Sequence, residues 1–344
     1  MMKRLALHFI APYEVSVREE PLPVPEAGQI LVKTLVSAIS SGTELLMYRG
    51  QAPEDIPLDE TIAALRGRQG YPFKYGYAAV GEVIETGEGV APSWQGKTVF
   101  AFHPHESHFV SSTEDAIPIP ASLPLEEAAF LPNMETAVSF LMDGRPLIGE
   151  KVAVFGQGIV GLLTTALLAR MPLDALVTID KYALRREASL TLGAHMSLDP
   201  EAQETIDELM PSPDEEQSGS GIDLTYELSG NPAALSQAIA VTGFDGRVVI
   251  GSWYGRKRAD LNLGGRFHRS RIRLMSSQVS SLAPALTGRW TKARRLRVAF
   301  EMLKDLKPSR LITHRFHISR APEAYSLIDQ HPEDVIQVIF TYDD

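Results

Sequence analysis

Gly156, Gly158 and Gly161 stand in the run VFGQGIVG, a G-x-G-x-x-G spacing in which each glycine has a separate use. The first permits a tight turn, the second lets backbone approach a pyrophosphate, and the third lets a helix pack closely on a sheet. The run follows an apolar strand, KVAVF, and opens a helical stretch, IVGLLTTALLARM. That context lifts the motif above a chance match. Ile159 and Val160 then lie at a helix N-terminus, whose unpaired N–H groups and partial positive charge receive phosphate oxygens. Asp180 closes the next strand, ALVTID, 19 residues beyond Gly161. A carboxylate there accepts hydrogen bonds from the ribose hydroxyls of NAD and repels the extra phosphate of NADP. Lys181 and Arg185 leave NADP open, since basic groups near the ribose could hold a 2′-phosphate. Ser229 and Gly251, in the strand regions DLTYELS and GRVVIGSW, complete the expected cofactor-binding set. The plainer alternative is a structural turn with Asp180 as a helix cap.

A second constellation is HPHESH, with His103, His105, His108 and Glu106 within six residues. On a strand, alternation sets His103 and His105 on one face and His108 on the other, so the three do not converge without a bend. No metal site is expected. The remaining alternatives are a substrate contact by one histidine, or ordinary surface and core histidines. Two basic runs, RFHRSRIR and RWTKARRLR, read as a basic strand and a solvated helix face, with a pocket for an anionic substrate as the competing reading.

The rest of the chain narrows the classes. Its 344 residues suit two domains, and 44% hydrophobic with 22% charged residues is ordinary globular composition. A net charge of −10 disfavours nucleic-acid binding. There is no cysteine, which excludes disulfides, thiolate zinc sites, iron–sulfur clusters and a cysteine nucleophile. The start MMKRLALHFIAPYEV lacks the apolar core and cleavage site of a secretory signal, and no run is long enough to span a membrane. A cytoplasmic protein is the expectation.

Short β-like runs punctuated by Gly and Pro dominate the first 120 residues or so: KRLALHFI, QILVKTLVSAI, AVGEVIETG, KTVFAFHPHESHFV and DAIPIP. They predict a β-rich domain of hairpins and partial barrel. Residues 51–73 read as a loop or short helix. From LPLEEAAFLPNMETAVSFLM, read as a helix, strands and helices alternate, which predicts a doubly wound parallel sheet. After about residue 290, KARRLRVAFEMLKDL, LITHRFHI, PEAYSLIDQ and VIQVIFTY look like a return to the first domain. The expected organisation is a discontinuous catalytic domain, residues 1–123 and 290–344, with a Rossmann dinucleotide-binding domain, 124–289, inserted in it.

Over essentially its whole length the sequence resembles a medium-chain dehydrogenase/reductase. The residues that carry this are SAISSGTELLMYRG, YPFKYGYAAVGEVIETG, VFAFHPHESHFV, VFGQGIVG with VTID, and LITHRF. The resemblance is closest to the zinc-less branch around bacteriochlorophyllide dehydrogenases. It implies a GroES-like first domain, a nicotinamide cofactor, and a homodimer paired through an edge strand near RIRLMSSQVS. Zinc-dependent relatives carry a cysteine, a histidine–glutamate pair and a third ligand where this chain has Ser41, Tyr77 with Ala78, and Pro132. The resemblance therefore implies no catalytic zinc. It puts Thr136 beside the nicotinamide and Thr43 where relatives relay the substrate proton. The histidine that completes that relay in some relatives is here Leu46. Tyr77 is the candidate to polarise the reacting oxygen from its phenol, Glu44 to orient its neighbours, and His105 to lie near the substrate.

The resulting expectation is a zinc-independent, NAD-preferring oxidoreductase interconverting a secondary alcohol and a ketone on a bulky small-molecule substrate. Two alternatives stay open: an NADPH-dependent reductase of quinones or enones, and a catalytically silent nucleotide-binding protein that kept the fold.

Overall fold

A computed structural model describes residues 2–53, 62–65, 70–202, 209–210 and 220–342. The chain divides into two compact units, Met1–Pro132 with Leu303–Asp344, and Asn133–Met302. Both changeovers fall inside helices, Leu131–Gly144 and Lys292–Leu306, later than the expected 123/124 and 289/290 boundaries.

The first unit opens with a hairpin of β1 (Lys3–Ala11) and β2 (Glu14–Pro21), turned at Tyr13. Its main sheet is built from β3 (Gln29–Ala38), β4 (Ala79–Thr86), β5 (Thr98–Ala101), β6 (His108–Ser112) and β7 (Ile117–Pro118). The chain returns to this sheet with β14 (Ile312–His317) and β15 (Gln337–Thr341), giving the order β14-β15-β3-β4-β5-β7, with β6 also paired to β3. β3 is buried along most of its length, and this unit holds two apolar clusters. One is built around Ile30, Val32, Val83 and Phe109; the other joins Phe9, Tyr48, Tyr325 and Phe340. The single apolar stretch in SSGTELLMYRG forms α1 (Ser41–Tyr48), which buries Leu46, Met47 and Tyr48 in the second cluster.

Several local expectations change. The run KTVFAFHPHESHFV is two strands, and residues 103–107 between them form no strand beyond an isolated bridge at Glu106, so the strand-alternation argument for its histidines does not apply. β2 was not legible because EVSVREEP has few apolar residues; pairing with β1 supplies its order. LPLEEAAFLPNMETAVSFLM is broken into α2 (Leu125–Ala128) and α3 (Leu131–Gly144). Most of segment 51–73 lies outside the described residues, apart from a 3-10 turn at Ala63–Leu65 and the flanking chain.

The second unit is a six-stranded parallel sheet in the order β10-β9-β8-β11-β12-β13. Its strands are β8 (Lys151–Phe155), β9 (Ala175–Ile179), β10 (Met196–Leu198), β11 (Ile222–Glu227), β12 (Thr242–Ile250) and β13 (Arg273–Ser276). Renumbered within the unit this is 3-2-1-4-5-6, the dinucleotide-binding order whose direction reverses between β8 and β11. The central strand β8 is buried except at its first residue, and the uncharged helix α4 (Ile159–Leu168) packs almost wholly in the core, with Thr164 and Thr165 satisfied by Val160 and Gln157. α5 (Ala183–Thr191) follows β9. The basic runs also sort differently from expectation. RFHRSRIR begins in a helical turn, passes through a turn at 270–271 and reaches β13 only at Arg273, and the helix of RWTKARRLR is not solvated throughout. Arg295 is buried and pairs with Glu135 at 2.9 Å while donating to the carbonyls of Val279 and Ser281. Among the described residues no helix is long and apolar enough to cross a membrane.

Candidate active site

In the second unit the glycine motif sits at the C-terminal end of β8, beside the point where strand order reverses. Gly156 has φ +88°, and a Cβ there would stand 2.5 Å from the Ser229 Cα, so both conformation and space demand glycine. A Cβ on Gly161 would lie 1.9 Å from the Gly156 carbonyl oxygen, which fixes the close approach of α4 to the turn. Gly158 differs: nothing lies within 4 Å of the position its Cβ would take. Ile159 and Val160 begin α4 directly after it, with Gly158 as N-cap and no side chain capping the helix. Open space in front of unpartnered helix N–H groups is a fitting seat for a pyrophosphate.

Asp180 is almost fully buried and holds this turn together. Its Oδ2 accepts from the Gln157 N–H at 2.7 Å and its Oδ1 from the Tyr182 N–H at 2.9 Å. Each oxygen keeps a second lone pair, so this anchoring leaves acceptors for ribose hydroxyls. Lys181 and Arg185 both stack on the Tyr182 ring, each 4.7 Å from its centroid. Thr136 is half-buried on α3. Ser229 is exposed after β11, and Gly251 follows β12, where a Cβ would meet Phe140 at 2.3 Å.

The first unit gathers hydroxyls around the start of α1. The Tyr77 phenol donates to Ser40 Oγ and lies 3.4 Å from Thr43 Oγ1. All three residues are half-buried. Behind them Glu44 is fully buried, and its Oε1 accepts the N–H of the N-cap residue Ser40 at 2.7 Å. Glu44 Oε2 accepts from the Tyr325 hydroxyl and from His105 Nε2 at 3.1 Å. His105 Nδ1 meets Ser37 Oγ at 2.7 Å, and Ser37 Oγ meets the Tyr342 hydroxyl at 2.7 Å. An ionised carboxylate only accepts, so His105 Nε2 carries the proton that points at Glu44. Burial, then the field of Glu44, pushes the Tyr325 phenol well above its ordinary range, so it remains a donor. Gly76, at φ +122°, makes room for this chain: a Cβ there would stand 2.7 Å from His105 Cδ2.

The histidines of HPHESH therefore part company. His105 joins the buried chain; His103 stacks on Phe109 at 4.2 Å; His108 meets Ser107 Oγ at 3.1 Å. Burial drives the His103 pKa down to about 4 against the opposing field of Glu106. Glu106 belongs to a second network with Arg4 at 2.8 Å and Lys74 at 2.5 Å. That network reaches Glu20, which Arg4 holds at 2.8 Å. Among the described residues, the groups placed to share a metal are the exposed His331, Glu333 and Asp334, away from all of these positions in sequence.

Residues 160–296 match the model of the zinc-binding dehydrogenase family. The chain is 24% identical over 335 residues to the D-guloside 3-dehydrogenase of Escherichia coli, covering 92% of this chain and 93% of that one. Its fold superposes on an alcohol dehydrogenase from Escherichia coli CFT073 complexed with NADH, with TM-score 0.78, 19% identity and 99% of both chains covered. It superposes equally on the 2R,3R-butanediol dehydrogenase of Bacillus subtilis, with TM-score 0.79, 19% identity, and 99% and 100% covered. The chain carries the fold of these alcohol-dehydrogenase-like structures. It is an oxidoreductase of the dehydrogenase type.

Three positions match the zinc ligands of the zinc-dependent proteins that the sequence resembles. Ser41, Tyr77 and Pro132 offer a hydroxyl, a phenol already given to Ser40, and no donor atom at all. This chemistry does not fit a zinc ion, which takes thiolate, imidazole or carboxylate ligands. The glycine turn, by contrast, fits a dinucleotide. Sequence reasoning missed Ser37, Tyr325 and Tyr342, whose partners lie far away in the chain, and Ser40, which meets Tyr77 across the fold. It also missed Glu227, fully buried at the end of β11. Its Oε1 accepts from the Ser229 N–H at 2.9 Å and from the Ser229 hydroxyl, and its Oε2 from Tyr254. The one signal available was an acid inside the apolar run LTYELS.

Proposed function

We propose that this medium-chain dehydrogenase interconverts a secondary alcohol and a ketone with a nicotinamide cofactor and without zinc. The observation that carries the reading is the hydroxyl cluster of Tyr77, Ser40 and Thr43 on top of the buried Glu44–His105 chain. The second unit supplies the nucleotide cradle, from Gly156, Gly158, Gly161 and Asp180, with Thr136 as a further contact. A nicotinamide held there accepts or delivers the hydride. The chain's own residues handle the oxygen and its proton. In oxidation the alcohol proton passes to Thr43 Oγ1 as Thr43 gives its own proton to water at this half-buried cluster; in reduction the steps reverse, and the Tyr77 phenol turns from Ser40 to donate to the carbonyl oxygen where a metal would otherwise polarise it. Glu44 does not reach the substrate in this reading; it fixes the first turn of α1 through the Ser40 N–H, and His105 and Tyr325 fix Glu44. Leu46 lies in the apolar cluster and carries no proton, so the relay passes from the hydroxyls to water.

Two features support finer choices. Asp180 with lone pairs left for a ribose favours NAD. Lys181 and Arg185 on the Tyr182 ring favour NADP as the second choice, and with it the reduction of quinones or enones. β13 is an edge strand of the parallel sheet, which favours a homodimer, and elution as a monomer on gel filtration rejects that part. The test of the mechanism uses chelator-treated protein with NAD and a panel of bulky secondary alcohols. Thr43→Val and Tyr77→Phe each lower turnover by roughly a hundredfold or more while NADH affinity stays unchanged. Full activity in both variants removes these side chains from the mechanism, and activity that disappears with the chelator and returns with zinc removes the metal-free reading.

A further inference from the structure

The second unit holds an apolar groove of about 580 Å³ that the nucleotide cradle does not use. Leu141 and Met142 on α3, Leu167 at the end of α4, Leu286 and Trp290 line it. None of these residues belongs to the glycine turn, to Asp180 or to the Glu227 cluster. A groove of this size falls in the range that holds small ligands, of roughly 300 to 1,000 Å³.

Its charge is one-sided. Among the described residues that line the groove there are three arginines, Arg145, Arg170 and Arg289, and no carboxylate. This stands on a chain of net charge −10, so the positive rim is a local departure from the surrounding field. All three arginines are solvent-exposed, and Arg170 donates to Met302 Sδ at 3.9 Å. Trp290 is held from outside by Arg294, whose guanidinium stacks on its ring at 4.0 Å and donates to the Arg289 carbonyl at 2.7 Å. An apolar trough with a fixed indole and a guanidinium rim matches one ligand chemistry: an alkyl body ending in an anionic head. Guanidinium is the cation suited to bidentate pairing with a carboxylate or phosphate at a partly wet rim.

We propose that this groove is a second binding site, for a free amphipathic anion with an alkyl chain and a carboxylate head. The chain lies against Leu141, Leu167 and Leu286, and the head faces Arg289 and Arg145. The site is independent of the reading of the catalytic chemistry, because no residue of it takes part in that chemistry.

The probe is dodecanoate, held below its micelle concentration and titrated into the full chain with Trp94→Phe and Trp253→Phe, so that Trp290 alone reports by fluorescence. Saturable binding at one site per chain is expected. Octanoate, four methylenes shorter, binds roughly a hundredfold more weakly, since each buried methylene strengthens binding about threefold. Dodecan-1-ol and the Arg289→Glu variant each weaken binding about tenfold. Ala285→Phe, at an exposed lining position, fills the groove and abolishes binding while NADH affinity is kept. Binding untouched by Ala285→Phe, or equal for the acid and the alcohol, overturns the proposal, as does the absence of saturation. Co-sedimentation with phosphatidylglycerol vesicles in place of monomer binding reassigns the groove to a membrane surface. A change of elution volume in Ala285→Phe without any dodecanoate binding reassigns it to a second copy of the chain; either result overturns the free-ligand proposal.

Discussion

The glycine turn of the second unit and the hydroxyl cluster of the first are specified by opposite means. The turn is fixed by side chains that are missing: at Gly156 and Gly161 a single Cβ would collide with backbone, and at Gly158 it would intrude on empty space. The cluster is fixed by side chains that are present and buried, Glu44, His105, Tyr325 and Ser37, each satisfied by a partner from a distant part of the chain. Steric exclusion is a local property, so three residues of spacing announce it. A hydrogen-bonded chain is a tertiary property, and its cost of disruption is spread over every group left unpaired.

The largest effect should therefore come from the turn. Gly161→Ala forces a Cβ to 1.9 Å from the Gly156 oxygen, a backbone atom that cannot swing away. Urea unfolding should show a loss of about 3 kcal/mol, within the range for overpacking at a fixed site. Gly158→Ala separates space for the fold from space for the ligand. With nothing within 4 Å, it should unfold like the parent while NADH binding weakens by at least tenfold, because the methyl occupies the phosphate seat. If Gly158→Ala binds NADH normally, the turn is only structural.

Next in size is the buried chain. Glu44→Leu leaves His105, Tyr325 and the Ser40 N–H without their acceptor in a site closed to water. The expected loss is about 2 to 4 kcal/mol in urea unfolding, with Glu44→Gln losing less because an amide oxygen can still accept. Equal stability of Glu44→Leu and the parent would mean the cluster is held by α1 packing alone, and the contrast with the glycine turn would fail.

How far each region could be read from sequence follows from the same contrast. The Rossmann order was legible because KVAVF, ALVTI and their helices carry their own periodicity, and because the glycines need no partner to be recognised. Thr43, Glu44 and Tyr77 could be singled out only by resemblance; nothing local in SSGTELL says that Glu44 turns inward to cap its own helix. His105 was singled out by resemblance for a position near substrate; the structure buries it between Ser37 and Glu44, and no local pattern announces those two partners. Ser37, Tyr325 and Tyr342 lie far apart in sequence, and no window short enough to show a pattern contains two of them with His105.

A smaller effect appears in acid. His103 is kept neutral in the fold, with its pKa at about 4 from an ordinary 6.5. The folded value is depressed, so its contribution is complete above the unfolded pKa and is lost as pH falls from 6.5 through 4. Glu20 adds a second arm. Burial raises its pKa, but the hydrogen bonds from Arg4 and His8 and the charge of Lys74 outweigh that and hold it at about 2. Its contribution is present above 4.5 and fades towards 2. Denaturation between pH 7 and 4 should lose on the order of 2 kcal/mol through His103. In His103→Gln this upper arm should flatten while the part below 4.5 persists. An unchanged slope would place the acid sensitivity elsewhere.

The smallest effect tests whether the second unit's own buried acid behaves like Glu44. Glu227 is as buried as Glu44, yet its Oε1 is satisfied by the Ser229 backbone N–H at 2.9 Å as well as by the Ser229 hydroxyl. Tyr254 supplies the remaining donor, and burial followed by the field of Glu227 keeps that phenol protonated by raising its pKa. Tyr254→Phe removes one donor and leaves two, one of them backbone that cannot rotate away, so the loss should be about 1 kcal/mol, the net worth of a single hydrogen bond. Tyr325→Phe, the matching deletion at Glu44, leaves His105 and the Ser40 N–H and makes a fair partner for the comparison. If buried acids are governed by the number of donors they retain, the two tyrosine variants lose similar amounts. If the first unit's chain acts cooperatively through His105 and Ser37 to Tyr342, Tyr325→Phe loses clearly more, and the difference measures what the longer hydrogen-bonded chain contributes.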